Sequence, residues 1–116
     1  MKTLISTLAF GAFCLAASSF ASAADVAKGE ALVKKYNCAS CHGADYNKPI
    51  DPSYPKLAGQ HAEYLTHALN AYKRGAAANG RSNPIMAGQV QPLSNQDMSD
   101  LGAYLSSLPS QLVIKR

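Results

Sequence analysis

A short segment in the first half of the chain carries residues suited to cofactor chemistry. Cys38-Ala39-Ser40-Cys41-His42 has the spacing C-x-x-C-H, which is typical of covalent haem attachment. Residues three apart on a helical turn project from the same side, so each sulfur can join one vinyl group of a haem. His42 follows Cys38 by four residues, which points its imidazole at the iron. The segment therefore predicts one covalently attached haem c per chain, with Cys38 and Cys41 as attachment points and His42 as a metal ligand.

The same pair of cysteines has two other conceivable uses. In a secreted chain the two could form a disulfide, although so small a loop is strained and more typical of redox motifs. A structural zinc site needs four ligands, and the sequence contains no second C-x-x-C. The motif therefore favours haem.

An electron-transfer haem usually needs a second axial ligand, and the candidates beyond the motif are His61, His67, Met86 and Met98. His67 falls two residues after Leu65, off the apolar stripe of its predicted helix, which favours a solvated position. His61 lies near the start of that helix, and nothing local favours it. Met86 lies in a segment punctuated by Pro84 and Gly88, with no helical stripe to serve. We therefore predict Met86 as the second metal ligand.

Met98 has a different explanation, because it follows a helix-start signal. Ser94 at the N-cap and Asp97 at N3 form a capping box, and Leu93 and Met98 are placed to form a hydrophobic staple. The apolar stripe continues through the next two turns of the predicted helix. We expect Met98 to be a core residue.

The elements that must position these residues are helices. Asp25 is a plausible N-cap for the first helix, and Gly75 is a natural stop for the second. The segment between the haem motif and the second helix contains three prolines and no apolar periodicity. We expect one all-α domain with no strand pair, built of helices at Val26–Tyr36, Gln60–Arg74 and Asn95–Ser107, and loops at Gly43–Gly59 and Ala76–Gln91.

The N-terminus predicts a secretory signal peptide over residues 1–23. Lys2 supplies a positive start, Leu4 to Ala17 are apolar on all sides, and Ala21-Ser22-Ala23 is a small-x-small cleavage site. Cys14 would be discarded with this segment. No stretch of 18 apolar residues is present, so a transmembrane helix is not expected.

The predicted mature domain, residues 24–116, is short of large apolar side chains. It has 10 basic and 7 acidic residues, a net charge of +3, and neither Phe nor Trp. Leu, Ile and Val number 16 of 93 residues, a fraction below the ~20% at which disorder is suspected. Because helical periodicity is nevertheless visible, we expect a bound cofactor to complete the core.

Taken together, three segments resemble the class I cytochromes c, and most of all the small c4-like and c5/c553-like bacterial members. The segments are Gly29–Ala31 with the haem motif, Tyr54–Gln60, and Arg81–Met86 followed by Leu93-Ser94. The resemblance covers essentially all of residues 24–116. One departure is that c4 proteins have two such domains and two haems, whereas this chain has one motif.

The resemblance implies specific roles for several residues. Haem c would be bound by Cys38 and Cys41, with His42 as the proximal ligand and Met86 as the distal ligand. The carbonyl of Pro55 would accept a hydrogen bond from Nδ1–H of His42. Gly29 would lie where the first and last helices cross.

The expected function is that of a periplasmic electron carrier and not of an enzyme, because six-coordinate iron leaves no open position for substrate. Its partners would be redox proteins that bind transiently, and the chain would be a monomer or weak dimer. Nucleic acid is not expected as a partner, because two haem propionates would nearly cancel the +3 charge. Two alternatives remain: a haem subunit of a larger oxidoreductase, or a ligand-binding or peroxidase-like haem protein. A basic collar could steer acidic partners, or the charges could simply be scattered: Lys28, Lys34, Lys35, Lys48, Lys56, Lys73, Arg74 and Arg81.

Overall fold

The computed structural model describes residues 22–111, so nearly all of the predicted signal peptide lies outside the described part. Within that part the secondary structure is helical, with no strand. The five helices are α1 (Val26–Lys35), α2 (Ala39–His42), α3 (Ala62–Arg74), α4 (Pro84–Val90) and α5 (Asn95–Ser107). The prediction of an all-α fold is confirmed.

The last helix, α5, begins and ends where the sequence predicts. The Ser94 hydroxyl accepts a hydrogen bond from the backbone N–H of Asp97 at 3.0 Å. The Asp97 carboxylate in turn accepts one from the backbone N–H of Ser94 at 2.8 Å. This capping box satisfies two N–H groups that no turn of the helix can reach.

The capping box makes stability depend on pH in a defined direction. The backbone hydrogen bond from Ser94 holds the pKa of Asp97 below its usual value. A lowered pKa means that the carboxylate stabilises the fold above its unfolded pKa of about 3.9, and loses this effect as pH falls through the folded pKa. We expect Asp97→Asn to cost about 0.5–1 kcal/mol at pH 7 and less at pH 2. Urea unfolding at both values measures this, and an equal deficit at both would contradict it.

The other predicted helix boundaries shift by one or two residues. The first helix ends at Lys35, with Tyr36 as its C-cap. The second begins at Ala62 and not at Gln60, because His61 keeps an extended ψ of 129° as the N-cap. Gly75 ends this helix in the left-handed region at φ 61°, as predicted.

The expectation of a continuous loop from Ala76 to Gln91 is wrong, because helix α4 lies inside it. Asn83 is its N-cap, with an extended backbone and a side chain that accepts from the backbone N–H of Met86 at 3.0 Å. Pro84 occupies the first helical position, where its missing N–H costs nothing. The Asn-Pro pair therefore starts a helix here, although the same pair also marks turns.

Packing around α5 organises the domain. This helix contacts α1 on one side and α3 on the other, and α3 also contacts α4. Both crossings of α5 depend on a glycine. A Cβ on Gly29 would lie 2.1 Å from the carbonyl oxygen of Asp100, and one on Gly102 would lie 2.7 Å from that of Ala62. The expected position of Gly29 at the α1–α5 crossing is confirmed.

The buried core is small. Helix α5 contributes three residues to it, and α1, α3 and α4 contribute one each, with the rest coming from loops. It is formed by Val33, Tyr46, Ala58, Leu65, Val90, Leu93, Met98, Leu101 and Leu105. Met98 is fully buried, as expected for a core residue. Along residues 22–111, no helix is long and apolar enough to cross a bilayer.

Candidate haem-binding site

The cysteine motif is placed on one helical turn directly after α1. Cys38 is the N-cap of α2 with helical φ and ψ, Cys41 is in its last turn, and His42 ends it. The backbone N–H of His42 donates to the carbonyl of Cys38 at 3.1 Å, which closes the turn that brings the three side chains to one side.

Both thiols are free, which argues against the disulfide alternative. Within residues 22–111 no group of three or more His, Cys, Asp or Glu side chains is placed to hold a metal ion, so the zinc alternative has no support either. Burial raises the pKa of the Cys38 thiol above its usual value.

The imidazole of His42 is buried and held by one backbone carbonyl. Its Nδ1 lies 2.9 Å from the carbonyl oxygen of Pro55. Because a carbonyl oxygen can only accept, Nδ1 must carry the proton, and Nε2 is left with its lone pair for a metal. The Tyr54 ring, 6.4 Å from the imidazole between centroids, lies beside it. The hydrogen bond that the resemblance implied is present, and it fixes the ring and makes it a better donor to metal.

Met86 is the third residue of α4 and is partly buried. The hydrogen bond from its backbone N–H to the Asn83 side chain fixes the first turn of this short helix. The N-cap role of Asn83 was not predicted, although an Asn directly before a proline is a recognisable N-cap signal.

Three cavities each include both His42 and Met86 in their lining, with volumes of about 290, 90 and 80 Å³. The second of these also includes Cys38 and Cys41. The remaining ligand candidates, His61, His67 and Met98, line none of the three. Two further cavities, of about 330 and 360 Å³, include none of the predicted attachment or ligand residues. The structure thus brings the predicted residues Cys38, Cys41, His42 and Met86 to one place, with Pro55 in the lining beside His42.

The lining of these cavities fits a haem. Their walls are apolar, consisting mainly of Leu57, Leu65, Leu69, Ile85, Leu101 and Leu105. The largest of the three cavities lined by His42 and Met86 also carries polar side chains, among them Lys56, Gln60 and Arg81. A flat apolar ring with two carboxylates needs this combination of an apolar slot and a polar edge.

Arg81, which the sequence placed among the residues of a possible basic collar, is held against two tyrosine rings of α3. Its guanidinium carbon lies 5.6 Å from the ring centroid of Tyr64 and 5.5 Å from that of Tyr72. Its backbone N–H donates to the carbonyl of Ala71 at 2.9 Å, which ties this segment to α3. Cation–π contacts of this kind hold a positive charge at the polar part of the cavity lining. The sequence did not predict these contacts, because two tyrosines eight residues apart on one helix look like ordinary residues of a helix face.

Comparison with known proteins decides the family. The model of the family described as cytochrome c matches residues 26–109. The chain belongs to the cytochrome c family. Its match includes all five helices, so the resemblance inferred from three short segments holds for the whole fold, and covalent haem c is the cofactor of this cytochrome.

The relatives of this cytochrome include both longer and shorter proteins. It is 44% identical over 75 residues to cytochrome c4 from Stutzerimonas stutzeri, covering 60% of this chain and 35% of that protein. It is 39% identical over 85 residues to cytochrome c-554(548) from Halomonas halodenitrificans, covering 73% of this chain and 98% of that one. A crystal structure of reduced recombinant cytochrome c4 from Pseudomonas stutzeri superposes with a TM-score of 0.67 at 38% identity, covering 78% of this chain and 48% of that chain. The chain therefore spans a third to a half of these c4 proteins and nearly the whole of the c-554(548).

Proposed function

We propose that this cytochrome is a periplasmic, non-enzymatic electron carrier with one haem c per chain, attached through Cys38 and Cys41 and ligated by His42 and Met86. The observation that carries the proposal is that His42 and Met86 line the same three cavities. When bound, the haem would supply one-electron Fe(II)/Fe(III) chemistry, with a potential raised by His/Met ligation.

The residues of the chain give this site the properties of a carrier. Pro55 holds the imidazole of His42 in one orientation through the 2.9 Å hydrogen bond, so little rearrangement is needed when the charge of the site changes. The leucines of the cavity wall exclude water. With His42 and Met86 both bound to the iron, no position would be left for a substrate.

Absorption spectra of the reduced protein with and without CO test the proposal. We expect no rapid CO complex at neutral pH, because Met86 would occupy the position that CO needs. Prompt formation of a CO complex would instead support the ligand-binding or peroxidase-like alternative.

The subunit alternative needs a different measurement. A free carrier makes small, transient contacts, below about 1,200 Å² in total, and we expect native protein to elute from gel filtration as a monomer or weak dimer. Co-elution of the cytochrome with a larger oxidoreductase in every preparation would support the subunit alternative.

The basic residues offer limited support for a steering collar. At least half of the set has local partners in the structure, and of the contacts given next, that of Lys34 pairs the charge with an acidic group. Lys34 forms an ion pair with Glu30 at 2.7 Å, and Arg74 donates to the carbonyl of Asn79 at 2.9 Å. Lys73 donates to the carbonyl of Leu93, and Arg81 contacts Tyr64.

The periplasmic part of the proposal rests on the sequence alone. The positive start, apolar stretch and Ala21-Ser22-Ala23 predict export and cleavage after Ala23. The domain would then begin at Ala24, two residues before α1.

A further inference from the structure

A carboxylate is buried where the start of α1 meets α5, apart from the haem-facing cavities. Asp100 is 1% exposed. Its Oδ1 accepts hydrogen bonds from the backbone N–H of Asp25 and from Nε2 of Gln96, both at 2.8 Å. Both donors to this oxygen are neutral. One lies directly before α1 and the other in the first turn of α5.

This carboxylate lacks a cationic side chain as partner in the described part of the chain. Across residues 22–111 the ion pair within 4.0 Å is that of Lys34 with Glu30, on the exposed face of α1. A charge removed from water without a counter-charge is costly. The two hydrogen bonds therefore leave the charge of the Asp100 carboxylate without a counter-charge among the side chains of residues 22–111, and a cation placed nearby would stabilise it.

The backbone nitrogen of Ala24 lies in the neighbourhood of this carboxylate. Three covalent bonds separate it from the nitrogen of Asp25, so the two atoms are at most about 3.7 Å apart. Since the Asp25 nitrogen lies 2.8 Å from Oδ1 of Asp100, the Ala24 nitrogen lies within about 6.5 Å of the carboxylate. In the uncleaved chain this nitrogen is a neutral amide, and the adjoining Ala23 carbonyl accepts from Nε2 of Gln96 at 3.3 Å.

We propose that Asp100 is the binding site for the new amino terminus, so that removal of residues 1–23 creates an ion pair between the α-ammonium of Ala24 and the Asp100 carboxylate. Hydrolysis of the Ala23–Ala24 bond by a signal peptidase consumes one water, leaves Ala23 as a carboxylate and Ala24 as an amine that is protonated at neutral pH. The inference rests on the proposed cleavage site and does not depend on the haem ligands.

The α-ammonium of Ala24 would lie at the start of α1, where a nearby carboxylate stabilises it. A cation at the start of α1 opposes the positive end of the helix dipole. The Asp25 carboxylate is already engaged as the N-cap, accepting from the backbone N–H of Lys28 at 3.1 Å. Asp100 is the acidic group that contacts the backbone at this junction, and pairing with it would compensate both charges. The processed protein would then be more stable than the unprocessed one, specifically at the α1–α5 contact.

A double-mutant cycle on the haem-loaded protein tests the ion pair. The first two proteins begin at Ala24 and at Ser22, and the Ser22 start moves the ammonium two residues away from Asp100. The other two carry Asp100→Asn with the same two starts. We expect the longer start to raise the unfolding equilibrium constant about tenfold when Asp100 is present, and less than about twofold with Asp100→Asn. Equal changes in both backgrounds, or no change in either, would overturn the proposal. Asn keeps the size of the side chain and one oxygen that can accept from the neutral donors, so Asp100→Asn removes the charge, and the comparison of the two starts within each background cancels the effect of the added NH2 group.

Two direct measurements accompany the cycle. The intact mass of the exported native protein should correspond to a start at Ala24, and a different start overturns the inference. A crystal structure of that protein should place the Ala24 nitrogen within hydrogen-bond distance of an Asp100 oxygen, whereas a separation above about 5 Å would contradict it. The CO and redox tests give independent results, so failure here is distinguishable from failure of the proposed function.

Discussion

Replacing Met86 with Ala is expected to abolish the weak sulfur-to-iron band near the red end of the ferric spectrum and to let the reduced protein bind CO. The thioether favours the reduced state, so the midpoint potential should also fall, by on the order of 0.1–0.3 V within the roughly 0.8 V that axial ligands can span. Spectroelectrochemistry and CO titration of the purified holoprotein measure all three effects.

Met98 provides the matched control, because it is fully buried in the core and lines none of the haem-facing cavities. Met98→Leu conserves volume, so it should cost less than about 1.5 kcal/mol and leave the band and the potential in place. If the band survives Met86→Ala and disappears with Met98→Leu, the assignment of the second ligand is wrong.

Gly29→Ala is expected to destabilise the domain by about 2 kcal/mol or more, although Ala is the better helix former by about 1 kcal/mol. The added Cβ would lie 2.1 Å from the carbonyl oxygen of Asp100 and 2.6 Å from Cβ of Tyr104. Neither atom can move by a side-chain rotation, so α1 and α5 must separate. Overpacking of this kind typically costs 1–3 kcal/mol, and thermal unfolding of the holoprotein measures it.

Gly88 is the matched control for this substitution. It lies within α4, and a Cβ there would have nothing within 4 Å. Gly88→Ala should therefore stabilise the protein by up to about 1 kcal/mol through helix propensity alone. A stabilising Gly29→Ala would show that the α1–α5 crossing is looser than the structure indicates.

The sequence predicted best where a local signal has a local cause. The limits of α5 follow from Ser94 and Asp97, whose mutual hydrogen bonds need no other part of the chain. Likewise the haem motif acts within one helical turn. These features could be inferred because residues three or four apart in sequence are neighbours in any helix.

The elements that escaped prediction depend on distant packing. Helix α4 has seven residues, too few to show an apolar period, and it is held by contact with α3. The slot between His42 and Met86 is lined by leucines from α3 and α5, whose meeting no local pattern reveals. The buried carboxylate of Asp100 was hidden for the same reason, since its partner Asp25 is 75 residues away.

The long separation between Asp25 and Asp100 also bears on the order in which the chain folds. Bringing together residues 75 apart costs about 4 kcal/mol of loop-closure entropy, more than the shorter loop between α3 and α5 requires. We therefore expect α3 and α5 to associate early and α1 to dock late. Because the two thiols follow directly after α1, they stay accessible to the attachment reaction until docking encloses them. The contact between the first and last helices would thus separate a stage in which the attachment site is open from one in which α1 covers it, while the covalent bonds themselves retain the haem.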